Sequence, residues 1–125
     1  MAGVKRIGQI AVSVSNLERA VAFYRDTVGL KFLFQAPPGL AFLMCGEVRL
    51  MLALPEKDQP VKAASVIYYL VDDIKSEFRA LRDKGAKAEG EPHLIARLPD
   101  HELWMAFFRD PDENMFALMS EVRDG

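Results

Sequence analysis

Two histidines, His93 and His101, stand in the segment "EPHLIARLPDHELW", with Arg97 between them. An imidazole is the side chain best suited to move a proton near neutral pH, and a guanidinium beside it would hold an anionic group. His93, Ile95 and Arg97 are spaced in even steps, so in an unbroken strand they share a face. The two histidines meet only if "LPD" folds the segment back. The simpler reading is a pair of surface hairpin histidines. A second candidate is "FFRDPDENMFALM", Phe107–Met119, where Asp110, Asp112, Glu113 and Asn114 gather around Pro111. A tight turn between two strands explains most of that composition. Cys45 is the one cysteine. It lies in the apolar run "LAFLMCG", reads as a small core residue, and allows no internal disulfide, which makes a reducing cytoplasm the expected compartment. No glycine-rich phosphate loop, serine-nucleophile elbow or CxxC pair is present.

The bulk properties narrow the classes of partner. At 125 residues the chain is one domain's worth, long enough to bury a core. Sixteen basic against eighteen acidic side chains give a net charge of -2, so no field attracts nucleic acid. The opening "MAGVKRIGQIAVSVSN" lacks the apolar stretch of a secretion signal, and no segment is long enough to span a bilayer. Neither nucleic acid nor membrane is an expected partner.

The elements that must position these groups follow from periodicity. "IGQIAVSV" alternates as a strand covered on one face. "SN" offers helix caps, and Ser15 with Glu18 has capping-box spacing. In "LERAVAFYRDTVG" the residues Leu17, Ala20, Val21, Tyr24 and Val28 share a helical face, and Gly29 supplies the stop. "LKFLFQ", "LAFLMCG" and "VRLMLAL" read as three strands, the first two parted by "APPG". "PEKDQPVK" reads as a linker. The order then recurs: "SVIYYLV" is a strand, "DD" caps the helix "IKSEFRALRDKG", and "KAEGEPHLIARL", "HELWMAFFR" and "NMFALMSEV" are three more strands. Ile74, Phe78 and Leu81 share the face of the second helix. Val14/Val71, Leu17/Ile74, Tyr24/Leu81, Arg25/Arg82 and Asp26/Asp83 align in register, which marks an internal repeat. The expected fold is α+β, with two βαβββ modules in one domain. The first covers about 5–56, a linker 57–62, and the second about 63–122. Each module, roughly sixty residues, is too small to close a core alone, so the two are expected to pack together and enclose a space lined by the strand faces that the helices do not cover.

With its paired βαβββ repeat, its opening "IGQIAVSVSNLERAVAFYRDTVGLKF" and its closing "FFRDPDENMFAL", the chain resembles the vicinal oxygen chelate superfamily. That group includes glyoxalase I, bleomycin-resistance proteins and extradiol dioxygenases. The likeness runs from about Ile7 to Met119, and it implies two modules that curl a mixed sheet around a common cavity, with the helices on the outside, and a homodimer.

The resemblance also implies a place for a divalent ion, with a ligand from each module's first and last strands. In this sequence those positions are Gln9, Met51, Val66 and Ala117. The amide oxygen of Gln9 can coordinate a cation. A thioether is a poor ligand for magnesium, manganese or zinc, and Val66 and Ala117 offer no donor. Metal-binding relatives have N-x-x-E where this chain has "NMFA". Neither metal nor other cofactor is therefore expected. Glu113 stands in the turn where relatives often have glycine.

Without an ion, the inner strand faces should bind a small molecule by shape and area. Taking the parity of Gln9, the candidate ligand-binding residues are Gln9, Ser13, Met51, Val66, Tyr68, Trp104 and Ala117. Around Trp104 the alternation stays open: either Trp104 and Ala106 or Leu103, Met105 and Phe107 point inward. Three readings stand. The first is a metal-free, bleomycin-resistance-like protein that binds a small aromatic or amphipathic molecule. The second is a glyoxalase-like lyase or isomerase, or a dioxygenase-like enzyme, with an atypical site and no assigned catalytic residue. The third is a degenerate member kept for dimerisation or regulation.

Overall fold

A computed structural model describes Gly3 and residues 6–55 and 65–123. Two compact units divide the chain, Met1–Ala64 and Ser65–Gly125. The expected linker, 57–62, lies outside the described residues.

In the first unit, β1 (Gln9–Ser13) leads into α1 (Leu17–Ala22), which continues as a π-helical turn over Phe23–Val28. Three strands follow: β2 (Lys31–Ala36), β3 (Leu40–Cys45) and β4 (Val48–Ala53). The sheet order is β1-β4-β3-β2, with β1 parallel to β4 and the other pairs antiparallel. The N-cap of α1 is Asn16, whose Oδ1 accepts from the Arg19 amide at 3.0 Å. The cap is thus Asn16, one residue after Ser15, whose hydroxyl accepts from the Arg19 guanidinium at 2.9 Å. The apolar stripe of the helix buries Ala20, Val21 and Tyr24 against Val12, Leu43, Leu50 and Leu52. Gly29 stops the helix at φ 94°, its N–H reaching the Tyr24 carbonyl at 3.1 Å. That left-handed backbone favours glycine. Gly39 is constrained twice, since φ is 122° and an added Cβ would meet Leu54 Cδ1 at 3.0 Å.

The second unit repeats the plan with one change. It contains β5 (Ile67–Leu70), α2 (Ile74–Asp83), β6 (Lys87–Ala88), β7 (His93–Arg97), β8 (Glu102–Arg109) and β9 (Met115–Val122). The order is β5-β9-β8-β6, and β7 also pairs with β8. The stretch expected as one strand, "KAEGEPHLIARL", is split into β6 and β7. Gly90 takes φ 96° between them and Pro92 has no N–H to give a ladder, so the strand breaks there. Asp73 caps α2 through the Ser76 amide at 3.2 Å, and Ile74, Phe78 and Leu81 are all buried. Phe78 meets Phe108, which stacks on Phe116, placing the core of this unit between α2 and one face of its sheet.

The fold is α+β, built from two mixed sheets, each covered on one face by its own helix. The repeat extends to individual bonds. The amide of Val14 donates to Ala53 O at 3.0 Å and that of Val71 to Met119 O at 2.9 Å. Met51 and Ala117, each two residues earlier, therefore hold equivalent places. Arg25–Asp26 and Arg82–Asp83 recur as neighbouring ion pairs at 2.8 and 3.8 Å.

Candidate functional site

The helix-free face of the first sheet is built mainly by β1, β3 and β4. Gln9 lies opposite Arg49, and Ala11 opposite Met51. Side chains alternate along a strand, so Gln9, Ala11, Ser13, Arg49, Met51 and Ala53 fall on this face while Val12, Leu50 and Leu52 turn to the helix. Arg49 Nε donates to Gln9 Oε1 at 2.7 Å, and Gln9 Nε2 reaches Met51 Sδ at 3.6 Å. The guanidinium carbon stands 5.1 Å from the centroid of the Phe42 ring. Phe42 is the β3 neighbour of Met51 and packs at 4.8 Å on Phe34, which is half exposed. A cation, an amide and an aromatic pair thus share one surface.

The helix-free face of the second sheet is aromatic too. Ala117 on β9 has Tyr68 of β5 on one side and Phe107 of β8 on the other. Those two rings meet edge to face at 6.2 Å, and Ala117 is fully buried. Tyr68 is 45% exposed and Leu70 67%, so apolar area remains open beside them. Val66 is partly buried and immediately precedes β5. His93 stacks on Phe107 at 6.1 Å, with Nδ1 3.1 Å from the Glu91 carbonyl oxygen.

Trp104 lies on the opposite face of that sheet. It pairs with Ser120, donates through Nε1 to Glu102 Oε1 at 3.2 Å, and has Lys75 Nζ of α2 5.7 Å from its ring centroid. Beside it is a cleft of about 410 Å³ that includes Asp72, Lys75, Glu102 and Ser120. Of the two alternations left open by the sequence, Leu103, Met105 and Phe107 share the face of Tyr68 and Ala117. The sheet itself separates Trp104 from them.

The expectation that His93 and Arg97 share a face fails for a local reason. The register between β7 and β8 shifts around Ile95, so His93 pairs with Met105 while Arg97 pairs with Glu102. One extra residue turns the rest of the strand over. Arg97 Nε binds Glu102 Oε2 at 3.2 Å. The bond from Trp104, and then that from Arg97, holds the Glu102 carboxyl below its ordinary pKa. His101 sits at the far end of this hairpin, 2.8 Å from Asp100 Oδ1, and does not meet His93. That contact is the chief reason the Asp100 pKa is lowered. Burial pushes the Cys45 thiol up, which disfavours the nucleophilic thiolate.

The closing turn has its own structural explanation. Asp110 Oδ1 accepts from the amides of Asp112 and Asn114, and Oδ2 accepts from Asn114 Nδ2 at 2.9 Å. Glu113 adopts φ 66°, the left-handed backbone that suits glycine, and its carboxylate meets Lys87 Nζ at 3.1 Å.

The positions at which the resembled superfamily grips an ion do not fit one here. The Gln9 oxygen accepts from a permanent cation, Met51 offers a thioether that the Gln9 amide approaches, and Val66 and Ala117 have no donor atom. Among the described residues no three His, Cys, Asp or Glu side chains gather as a metal-binding group. Arg49 stands two residues from Met51 on the same strand, so the sequence alone puts it on the cavity face, although it is not among the ligand-binding residues expected above. The Phe42 and Phe34 contribution had no such signal, because strand register alone brings them alongside.

Comparison with known proteins agrees with this architecture. A family model of the Glyoxalase/Bleomycin resistance protein/Dioxygenase superfamily matches residues 6–118. The uncharacterized protein YraH of Bacillus subtilis is 26% identical over 88% of this chain and 94% of its own length. A superfamily member from Sphaerobacter thermophilus superposes with a TM-score of 0.79 at 20% identity, covering 94% of this chain and 98% of the other. The lactoylglutathione lyase of Agrobacterium tumefaciens gives 0.71 at 22% identity, covering 95% and 96%. At such identities the two structures speak to fold alone. Among the described residues no helix is long and apolar enough to cross a membrane.

Proposed function

Because the chain belongs to the Glyoxalase/Bleomycin resistance protein/Dioxygenase superfamily, we propose that it is a metal-free binding protein for a small aromatic or amphipathic molecule. Gln9, Ser13 and Met51 contribute contacts on the helix-free face of the first sheet; Val66 and Tyr68, with the shape left by buried Ala117, contribute them on that of the second. Trp104, on the other face of the second sheet, is left out. One observation carries the reading: the guanidinium of Arg49 holds Gln9 Oε1, where a metal would need a donor. Sequestration requires apolar area and a few polar handles, without a Lewis acid. The protein acts in the cytoplasm as a homodimer in this reading, the assembly that the family resemblance implies.

The test pairs elemental analysis of the purified protein with calorimetric titration of neutral aromatic compounds. Saturable binding with metal far below one equivalent is expected. Near-stoichiometric metal together with turnover of methylglyoxal hemithioacetal would overturn the reading.

A second reading, a glyoxalase-like lyase or isomerase or a dioxygenase-like enzyme with an atypical site, has one observation in its favour. His93 lies on the face of Tyr68, and a proton on Nδ1 given to the Glu91 carbonyl would leave Nε2 as a base. Turnover of the hemithioacetal by the wild type, lost in His93→Ala, would establish it.

A further inference from the structure

Most arginines of this chain have a carboxylate beside them. Arg6 meets Glu47, Arg25 meets Asp26, Arg82 meets Asp83, Arg97 meets Glu102, Arg109 meets Glu89 and Arg123 meets Glu121. Arg49 differs: its contacts among the described residues are the neutral Gln9 amide and the Phe42 ring. Neither cancels its charge. A guanidinium has five N–H donors in a rigid fork, and only Nε is engaged here. Fixing Nε fixes the plane of the group, so both Nη groups are already oriented without a further ordering cost. The ring of Phe42 removes water from one side of the cation, and half-exposed Phe34 packs on that ring with apolar surface to spare.

Resting on the small-molecule reading above, we propose that the first module recognises an aromatic carboxylate. Its two oxygens take the paired Nη groups of Arg49, and its ring lies along half-exposed Phe34, which buried Phe42 supports from behind. Bidentate pairing with a carboxylate is what the guanidinium geometry suits best. Gln9 serves as a positioning residue, holding the fork through Oε1. The permanent charge of this side chain selects an anion rather than a neutral ring.

Isothermal titration separates this proposal from the broader reading by using two probes, 2-naphthoate and uncharged 2-naphthalenemethanol. Wild-type protein is expected to prefer the naphthoate by roughly tenfold. Arg49→Met should abolish that preference while keeping the binding of the alcohol. Arg49→Lys, which keeps charge but loses the fork, should fall between them. Arg49 is exposed, so both variants should fold, and their circular dichroism spectra should match the wild type. Equal affinity for the two probes in the wild type overturns the carboxylate proposal and leaves small-molecule binding standing. An unchanged preference in Arg49→Met likewise removes Arg49 as the anchor. Failure of both probes to bind sinks the proposal and the broader reading together.

Discussion

Arg49 Nε and Gln9 Oε1 lie 2.7 Å apart across two parallel strands, joined by residues 40 positions apart in the chain. A divalent ion at Gln9 would have to displace this bond and then sit beside a fixed positive charge. Manganese, nickel or zinc should therefore leave the melting temperature within about 1 °C of its metal-free value. A ligand at a hundred times its dissociation constant stabilises by about 2.7 kcal/mol, which would raise Tm by roughly 10 °C for a chain of this size. Calorimetry across a metal series reads the difference, and a saturable rise of that size would contradict it.

Ala117 and Met51 occupy equivalent places but should respond unequally to a carboxylate. Ala117→Glu puts a charge into a fully buried position between Tyr68 and Phe107, costing roughly 3 kcal/mol or more. Met51→Glu enters a partly exposed face beside Arg49 and should change stability by less than about 1 kcal/mol. Urea midpoints measure both. A well-tolerated Ala117→Glu would mean that the second sheet has room there for a ligand side chain.

The Asp110 carboxylate ties the closing turn by accepting two backbone amides and the Asn114 side chain, and it is 4% exposed. Asp110→Ala leaves those donors without their acceptor at a buried position, a loss of about 1–3 kcal/mol. Asp110→Asn should cost less, because its remaining oxygen still accepts. The ranking of the two midpoints is the readout.

Glu113 pays for its left-handed backbone, whereas its contact with Lys87 is exposed and screened. Glu113→Gly should thus stabilise by about 0.5–1 kcal/mol, since the relieved strain outweighs the ion pair. A destabilised variant would show that the Lys87 contact matters more than its exposure suggests.

Trp104 emission should report the protonation of Glu102. The folded pKa of this carboxyl is depressed by the indole N–H of Trp104 and then by Arg97, so the contact is present above the unfolded value. It is lost as pH falls through the folded value, below the ordinary carboxylate range of about 4.3. Emission should hold steady from neutral pH down to that range and shift beneath it. Glu102→Gln should remove the acid transition while the rest of the acid titration persists.

The repeat, both helices, the cap at Asp73 and nearly every strand were legible in the sequence, because each depends on local period and local hydrogen bonding. Val14/Val71 and Leu17/Ile74 align in the sequence and stand at equivalent places within their own units. The same locality explains the poverty of donors at Gln9, Met51, Val66 and Ala117, which residue identity alone establishes. What the sequence left undecided was parity and pairing. The shift at Ile95 separates His93 from Arg97, the side of β8 taken by Trp104 follows from its packing against α2, and Arg49 finds Gln9 only when distant strands align. Alternation tells which residues share a face, but which face meets a helix is set by burying apolar area across the whole unit. That balance exists only in the tertiary structure.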